Sequence, residues 1–352
     1  VTAQHTKLAW LSRPSVKKMQ ALFGSDPYCF VGGCVRDGLI GKTPRDYDLA
    51  TALPAAEILE RIKQPGIRWI VGHKNFPITK IKIEGDIFDI CSLPQVKYIK
   101  PVEDFEGWVK SYLTTYDFTI NALALFPDGR LADDFGATHD IAKKQINFMD
   151  AENQISEVLK RSPNRIIRYF RFAVTHGEGR FDPAIVELLH VSAPLLKKEY
   201  PEYLYKQMMR LLGVNNPFDA LSLMWHQDIL FHVLGFQLDS LSALEKLRCI
   251  EQSVGKASHT NVRLLALLMQ AALPLDAALG HLAERWKIPQ KRQRELHATV
   301  DCSVAFDPTL ELESMSQLQK HVGEKLFKQV AMLRLLMEDK PLAVLADYQP
   351  HL

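Results

Sequence analysis

Several signatures are missing from this chain. No G-x-x-x-x-G-K-[ST] occurs, so it carries no P-loop, and the absence of G-x-G-x-x-G removes the dinucleotide fingerprint. The five cysteines, Cys29, Cys34, Cys91, Cys249 and Cys302, are odd in number, scattered and without C-x-x-C spacing. That argues against a disulfide framework and a structural zinc site, and for a reducing compartment. An excess of one charge is also missing. Lys and Arg number 43 against 41 Asp and Glu, a formal net charge of +2, so contact with a polyanion must rest on local clusters. The most apolar stretch, 264–279, is interrupted by Gln270, Pro274 and Asp276 and is too short to span a bilayer. The first residues show no long apolar run and no small-residue cleavage site, so no signal peptide is expected. There is no internal repeat and no low-complexity tail. The expectation is a soluble cytoplasmic protein without membrane contact.

What is present is enough chain for two or three domains, 352 residues of which 47% are hydrophobic and 24% charged. Strands are expected at 28–31, 46–50, 67–71, 77–83 and 87–92, with Gly85-Asp86 as a hairpin turn. Helices are expected within 1–24, over Cys34–Ile40 and over Ala55–Lys63. Residues 94–113 show no clear period and read as a loop. A strand follows Asp117, Pro127-Asp-Gly-Arg reads as a turn, and a short helix and a strand at 145–149 close the region. After Asp150 the segments become long and helix-periodic, so everything from about 151 onward is expected to be helical.

The chemistry concentrates at 28–51. A strand-like run meets Gly32 and Gly33, and a helix starts there, offering backbone N–H groups and a positive helix end to phosphate. Arg36 lies in the first turn of that helix. Thirteen residues after Gly33 come Asp46 and Asp48, which share one face of a strand while Tyr47 and Leu49 share the other. Two carboxylates on one face repel unless a cation lies between them, and carboxylates with phosphate oxygens suit Mg²⁺. Asp89 adds one more acid within an apolar strand. Further along, Arg161, Arg165, Arg168 and Arg171 fall within about a third of a helical circumference, opposite Ile166, Ile167, Phe170, Ala173 and Val174. Ser162 is a good N-cap and Pro163 a good first helical residue. Such an arginine stripe suits phosphates.

The stretch from Val31-Gly-Gly-Cys-Val-Arg-Asp to Arg45-Asp-Tyr-Asp-Leu-Ala-Thr resembles the first motif of the class II tRNA nucleotidyltransferase and bacterial poly(A) polymerase family. Asp117-Phe-Thr-Ile-Asn-Ala-Leu is similar to the second motif, Asp134-Phe-Gly136 with Asp140 to the third, and Arg165-Ile-Ile-Arg-Tyr-Phe-Arg-Phe-Ala to the fourth. The resemblance covers about residues 28–235. It implies an α+β chain: a polymerase-β-like nucleotidyltransferase head with a mixed sheet and helices (1–150), a helical neck and body facing nucleotide and RNA (151–235), and a helical tail for RNA binding or dimerisation (236–352). By the same resemblance Gly32, Gly33 and Arg36 hold a triphosphate and Asp46 and Asp48 bind two Mg²⁺ ions, with Mn²⁺ able to substitute. Asp89 is a third-carboxylate candidate at that metal site. Asp117 acts near the ribose with support from Asn121, and Arg165 and Arg168 face the base or phosphates. The implied partners are RNA 3′ ends, of tRNA or other RNA, and a nucleoside triphosphate, ATP with CTP as a further substrate.

The chain also departs from the family. Thr115-Tyr116-Asp117 stands where the second motif begins Arg-Arg-Asp, and Leu93-Pro94 stands where a Phe-Arg is common. Ser162 occupies the position of an aspartate in the fourth motif, and a serine cannot serve as a fixed carboxylate acceptor. The leading expectation is therefore poly(A) polymerase-like, adenylate-adding transfer to RNA 3′ ends. The alternatives are a CCA-adding tRNA enzyme that selects bases through other residues such as Asn164 or Arg168, and an RNA- or nucleotide-binding relative with little polymerase activity.

Overall fold

The computed structural model describes residues 8–97, 104–149, 155–254, 260–305 and 324–337. Contacts divide the chain into two compact units, Val1–Asn153 and Gln154–Leu352.

The first unit is built on seven strands: β1 (Tyr28–Val31), β2 (Asp46–Thr51), β3 (Ile67–Val71), β4 (Ile78–Ile83), β5 (Asp86–Ser92), β6 (Ala124–Leu125) and β7 (Leu131–Ala132). They form one mixed sheet in the order β3-β4-β5-β2-β1-β6-β7. Only β2 and β5 run parallel; every other neighbouring pair is antiparallel. Its helices are α1 (Pro14–Phe23), α2 (Gly33–Leu39), α3 (Ala55–Arg61), α4 (Phe105–Leu113) and α5 (Ala137–Lys143). All four residues of β1 are buried, as befits an interior strand covered on both faces. One face joins Phe30, Tyr47, Leu49, Ile81, Phe88 and Ile90 to α1, α2 and α3 residues such as Met19, Val35 and Ile58. The other face joins Cys29, Val31, Ala50 and Cys91 to Val109 and Leu113 of α4.

Three expectations are corrected here. The β4–β5 turn is Glu84-Gly85, not Gly85-Asp86: Ile83 pairs with Asp86, and both loop residues have positive φ, 49° and 94°. That is the backbone a tight two-residue hairpin of the right twist requires. Asp86 is left to accept hydrogen bonds from Arg13 Nε (3.0 Å) and Ser15 Oγ (2.5 Å), which ties the start of α1 to the hairpin. The loop read at 94–113 contains α4. Its N-cap, Asp104, accepts from the Gly107 N–H at 2.6 Å, and Val109 and Leu113 point inward four residues apart. Gly107 and the flanking aromatics obscured that period. Residues 145–149 form no strand; Phe148 makes a single bridge to Phe118.

Every regular element described in the second unit is helical: α6 (Ile155–Arg161), α7 (Arg165–His176), α8 (Pro183–Ser192), α9 (Pro201–Leu212), α10 (Phe218–His226), α11 (Ile229–Leu234), α12 (Ser242–Val254), α13 (Thr260–Leu268), α14 (Leu275–Arg285), α15 (Gln290–Ala305) and α16 (Glu324–Met337). Ser162 is not the N-cap expected of it. Its N–H closes α6 on the Val158 carbonyl, and α7 begins only at Arg165, so Arg161 belongs to the preceding helix. The apolar face of α7 is as expected for Ile166, Ile167, Phe170 and Ala173, all buried. Among the described residues no helix is long and apolar enough to cross a membrane.

Candidate active site

The expected metal pair sits at one end of β2, where alternation turns Tyr47 and Leu49 into the core and leaves Asp46 exposed and Asp48 half-buried. Register then supplies the rest. Val31 lies directly opposite Asp48, so the glycine turn that follows Val31 begins beside that carboxylate. Asp89 on β5 lies directly opposite Asp48 on the other side. Asp46, Asp48 and Asp89 therefore share one face of two adjacent strands.

Three acids so placed perturb one another. Burial, then Asp46, then Asp89 push the Asp48 carboxyl from 3.8 up to about 7, with Lys80 and Arg36 opposing. Lys80, which faces Asp89 from β4, pairs with it at 2.8 Å. Asp89 Oδ1 is buried and has no hydrogen-bond partner. A cation fits here: an orphaned carboxylate oxygen and a carboxyl whose ionised form lacks compensating charge are both answered by one. Among the described residues no group of three or more His, Cys, Asp or Glu is placed to hold a metal ion, so Asp46, Asp48 and Asp89 do not close on one point together. The donor set thus suits a hard ion such as Mg²⁺, which takes few protein carboxylates and completes its shell with phosphate oxygens and water.

The glycine turn is constrained by its backbone and by a neighbour. Gly32 has φ 75° and ψ −136°, and its N–H donates to the Leu123 carbonyl at 2.9 Å. A Cβ there would stand 2.9 Å from the Tyr116 ring. At Gly33, which is helical, a Cβ would meet the Arg36 guanidinium at an ordinary 3.5 Å. Gly32→Ala is therefore expected to cost about 1–3 kcal/mol through strain and displacement of Tyr116. Gly33→Ala is expected to stay within about 1 kcal/mol of wild type, since alanine favours the helix. Urea denaturation of the two variants side by side checks this contrast.

Arg36, Asn121 and Asp117 form one chain. Arg36, 7% exposed, donates to Asn121 Oδ1 and, at 2.6 and 2.9 Å, to Asp37. Asn121 Nδ2 donates to Asp117 Oδ1 at 2.9 Å, and the Phe118 N–H donates to the same oxygen at 3.0 Å. The short 3-10 turn Thr119–Asn121 that aims this chain is pinned from below. Asp140 accepts from Thr119 Oγ1 at 2.5 Å and from Asn147 Nδ2 at 3.0 Å. Asp133 caps α5 through the Ala137 and Thr138 N–H groups. The residues resembling a third motif are thus scaffold for the second.

Sequence reasoning missed Lys80 altogether and marked Tyr116 only as a departure from the second motif. Tyr116 packs its ring on Gly32, and burial holds its hydroxyl well above the usual phenol range. Lys80 is the cation nearest the acid group. No spacing signal marks either; both arrive through pairing of distant segments. An open cleft of about 640 Å³ lies at the far end of β1, lined by Tyr28, Asp104 and Arg130, away from the carboxylates.

Arg165 and Arg168 lie in the second unit, on the first turns of α7, both half-buried. The Arg168 and Arg171 guanidiniums stand 5.5 and 4.2 Å from the centre of the Phe172 ring. Asn164 donates its N–H (2.8 Å) and its side-chain amide (2.7 Å) to Glu199. It anchors the start of α7, with one of its two amide hydrogens committed to Glu199.

Comparison with known proteins agrees with this arrangement. Residues 28–147 match the model of the poly A polymerase head domain. The CCA-adding enzyme of Streptococcus suis is 30% identical over 207 residues, which are 56% of this chain and 48% of that relative. The chain thus spans about half the length of that curated relative. The CCA-adding enzyme of Lactiplantibacillus plantarum is 26% identical over 306 residues, 84% of this chain and 70% of the relative. The fold is similar to that of the Thermotoga maritima CCA-adding enzyme complexed with tRNA, with a TM-score of 0.67, 20% identity, and coverage of 96% of this chain and 82% of that one. A glycine turn beside paired strand carboxylates in a mixed sheet thus lies within a region, residues 28–147, that is similar to the poly A polymerase head domain, and the fold as a whole is similar to that of a CCA-adding enzyme.

Proposed function

We propose that the protein is a template-independent RNA 3′-end nucleotidyltransferase of the cytoplasm, and that its reaction is CCA addition to tRNA. The observation that carries the first part is the register of β1, β2 and β5, which sets the glycine turn and the N-terminus of α2 beside Asp46, Asp48 and Asp89. A phosphate cradle adjoining strand carboxylates is what a metal–triphosphate substrate needs. The second part draws support from the relatives, which are CCA-adding enzymes. On that ground CCA addition is preferred to adenylate-only addition.

In this reading the RNA 3′-oxygen attacks the α-phosphorus of ATP or CTP, the bond to the β-phosphate breaks, and pyrophosphate and a proton are released. With the Gly32 N–H committed to the Leu123 carbonyl, Gly32 shapes the turn, and the N–H groups from Gly33 onward at the start of α2 receive the triphosphate. Arg36 supplies positive potential from behind the turn while Asn121 and Asp37 hold it in place. Asp117, fixed by Asn121 and the Phe118 N–H, faces the ribose. Asp46 and Asp48, with Asp89 as a third candidate, would hold Mg²⁺. When bound, the ions lower the pKa of the attacking hydroxyl and neutralise the leaving pyrophosphate. Arg165 and Arg168 are assigned to the incoming base or phosphates. Residues 151–235 form the neck and body, and 236–352 the tail for RNA binding or dimerisation.

One observation favours a second reading. Ser162 replaces the expected aspartate, so the usual carboxylate pairing with the base edge is lost. That loss points toward the adenylate-adding alternative. The test uses Mg²⁺, each labelled nucleoside triphosphate in turn, and two acceptors: tRNA lacking its CCA end and a generic oligoribonucleotide. Addition of C and A to complete the tRNA end alone is the expected result. An adenylate ladder on both acceptors would replace CCA addition with poly(A) synthesis. No transfer under any condition would leave a binding protein.

A further inference from the structure

Register across the outer strands lines up two rows on the face that carries the acids. One runs Asp46, Ile87, Lys82, Arg68; the other runs Asp48, Asp89, Lys80, Val71. The alternate residues Ile81 and Ile83 are buried in the core beneath, with Ile67 packed against it, so Lys80, Lys82 and Arg68 stand on the opposite, open face. Each row therefore starts at a carboxylate of the candidate active site and passes to a cation on β4, and the first row continues to a second cation, Arg68, on the edge strand.

The edge is unusual in two respects. Arg68 and Lys82 are both exposed and sit directly opposite each other across an antiparallel pair, a like-charge placement that is unfavourable without a counter-charge. No ion pair to either is formed within the described part of the first unit. The same edge also exposes large rings, Trp69 at 58% and Phe76 at 64%, but Trp69 pairs with the buried Ile81 and so points to the other face from Arg68 and Lys82, and Phe76 lies in the β3–β4 loop. What the open face itself offers is cations, and a basic strip that tracks the phosphate backbone is how single-stranded nucleic acid is held without sequence readout.

We propose that the open face of β3 and β4 is the track for the acceptor strand: the single-stranded RNA immediately upstream of the reacting 3′ end lies over Lys80, Lys82 and Arg68, with its phosphates neutralising the Arg68–Lys82 pair. The inference rests on the nucleotidyl-transfer reading of the carboxylates and names where that reaction's RNA substrate runs. The geometry limits the occupant. Neighbouring strands lie about 4.8 Å apart, so the basic strip begins about two spacings from β2. An acceptor with its 3′-oxygen at the carboxylates crosses it within its last few nucleotides. A folded RNA body is not required for the contact, so a short oligoribonucleotide suffices as probe.

The test compares wild type with Arg68→Gln/Lys82→Gln and with the charge-reversed Arg68→Glu/Lys82→Glu, all checked for folding by circular dichroism. Two readouts are taken: steady-state incorporation, and fluorescence anisotropy of a 5′-labelled oligoribonucleotide at several salt concentrations. The expected result is a tenfold or greater rise in KM for the acceptor, larger for the reversed pair, with KM for the nucleotide and kcat unchanged. The slope of log affinity against log salt should fall by about 2 in the glutamine variant, one unit per lost phosphate contact. An unchanged acceptor KM and salt slope in both variants would overturn the track. So would a raised KM for the nucleotide alone, which would give the strip to the triphosphate. If wild type transfers nothing, the function reading fails by itself, and the anisotropy series still decides whether RNA lies on this face.

Discussion

Asp48→Asn is expected to lower nucleotide incorporation by on the order of a thousandfold while stabilising the unliganded protein at alkaline pH. The loss follows from removing a carboxylate that faces the glycine turn and shares its strand face with Asp46 and Asp89. The gain follows from the sign of the pKa shift. Asp48 is raised from 3.8 to about 7 by burial and by its two acidic neighbours, so the folded state resists its ionisation. For an acid shifted in this direction the penalty is absent below the ordinary pKa, grows as pH climbs toward about 7, and is complete above it. At roughly 1.4 kcal/mol per unit its ceiling is on the order of 4 kcal/mol. Asparagine carries no such penalty. Calorimetry without divalent ions should therefore show the melting temperature of the variant exceeding that of wild type by a margin that widens from pH 5 to pH 8. Added Mg²⁺ should raise the wild-type value at pH 8 and leave the variant nearly unmoved, because binding selects the ionised carboxylate. A margin independent of pH would remove the carboxylate repulsion from the account.

The second large effect belongs to the helical unit. Arg263 is 1% exposed and satisfies all five guanidinium donors within the protein. It reaches Glu251 at 2.8 and 2.6 Å, and the carbonyls of Leu212, Val214 and Asn215 at 2.7, 2.5 and 3.1 Å. One side chain thus ties α12 and α13 to the turn that ends α9. Arg263→Met should destabilise the unit by about 3–5 kcal/mol, because Glu251 is left buried and uncompensated and three carbonyls lose their donor. Arg263→Met combined with Glu251→Met should recover part of the loss, since the stranded charge is then gone. Hydrogen exchange of the α13 amides in the second unit reads both variants directly. Equal destabilisation of the single and double variants would mean that the carbonyl contacts, and not the ion pair, dominate.

The elements of the head were readable where pattern is local. Tyr28–Val31 is continuously apolar, Asp46–Thr51 alternates, and Gly32 marks a backbone conformation that few other residues adopt. The strands at 67–71 and 87–92 were legible for the same reason. Reading failed where a neighbour distant in sequence was decisive. The period of α4 is carried by Val109 and Leu113, but Gly107, Trp108 and Tyr112 blur it until the β-face they cover is known. Ser162 has the chemistry of an N-cap, yet the preceding helix runs through Arg161 and claims its N–H. Residues 145–149 have strand composition but only Phe118 to pair with.

The candidate site divides in the same way. Asp46, Asp48, Gly32, Gly33 and Arg36 were visible because their spacing along a strand, a turn and a first helical turn has a local physical meaning. Asp117 and Asn121 were visible as a motif, but their bond to Arg36 was not. Tyr116 stood out only as a departure, and its contact with Gly32 depends on α4 delivering it to the turn.

The sequence by itself determined which residues alternate onto a shared face, where the chain turns, and that two carboxylates follow a glycine turn. These are properties of neighbours a few bonds apart. Only the tertiary structure decided that Asp89 faces Asp48, that Lys82 faces Arg68, and that the Asp48 carboxyl is pushed up to about 7. Strand register is chosen by which side chains the whole core can bury, because a one-residue slip would move each apolar set into water. Desolvation and charge proximity exist only once that choice is made.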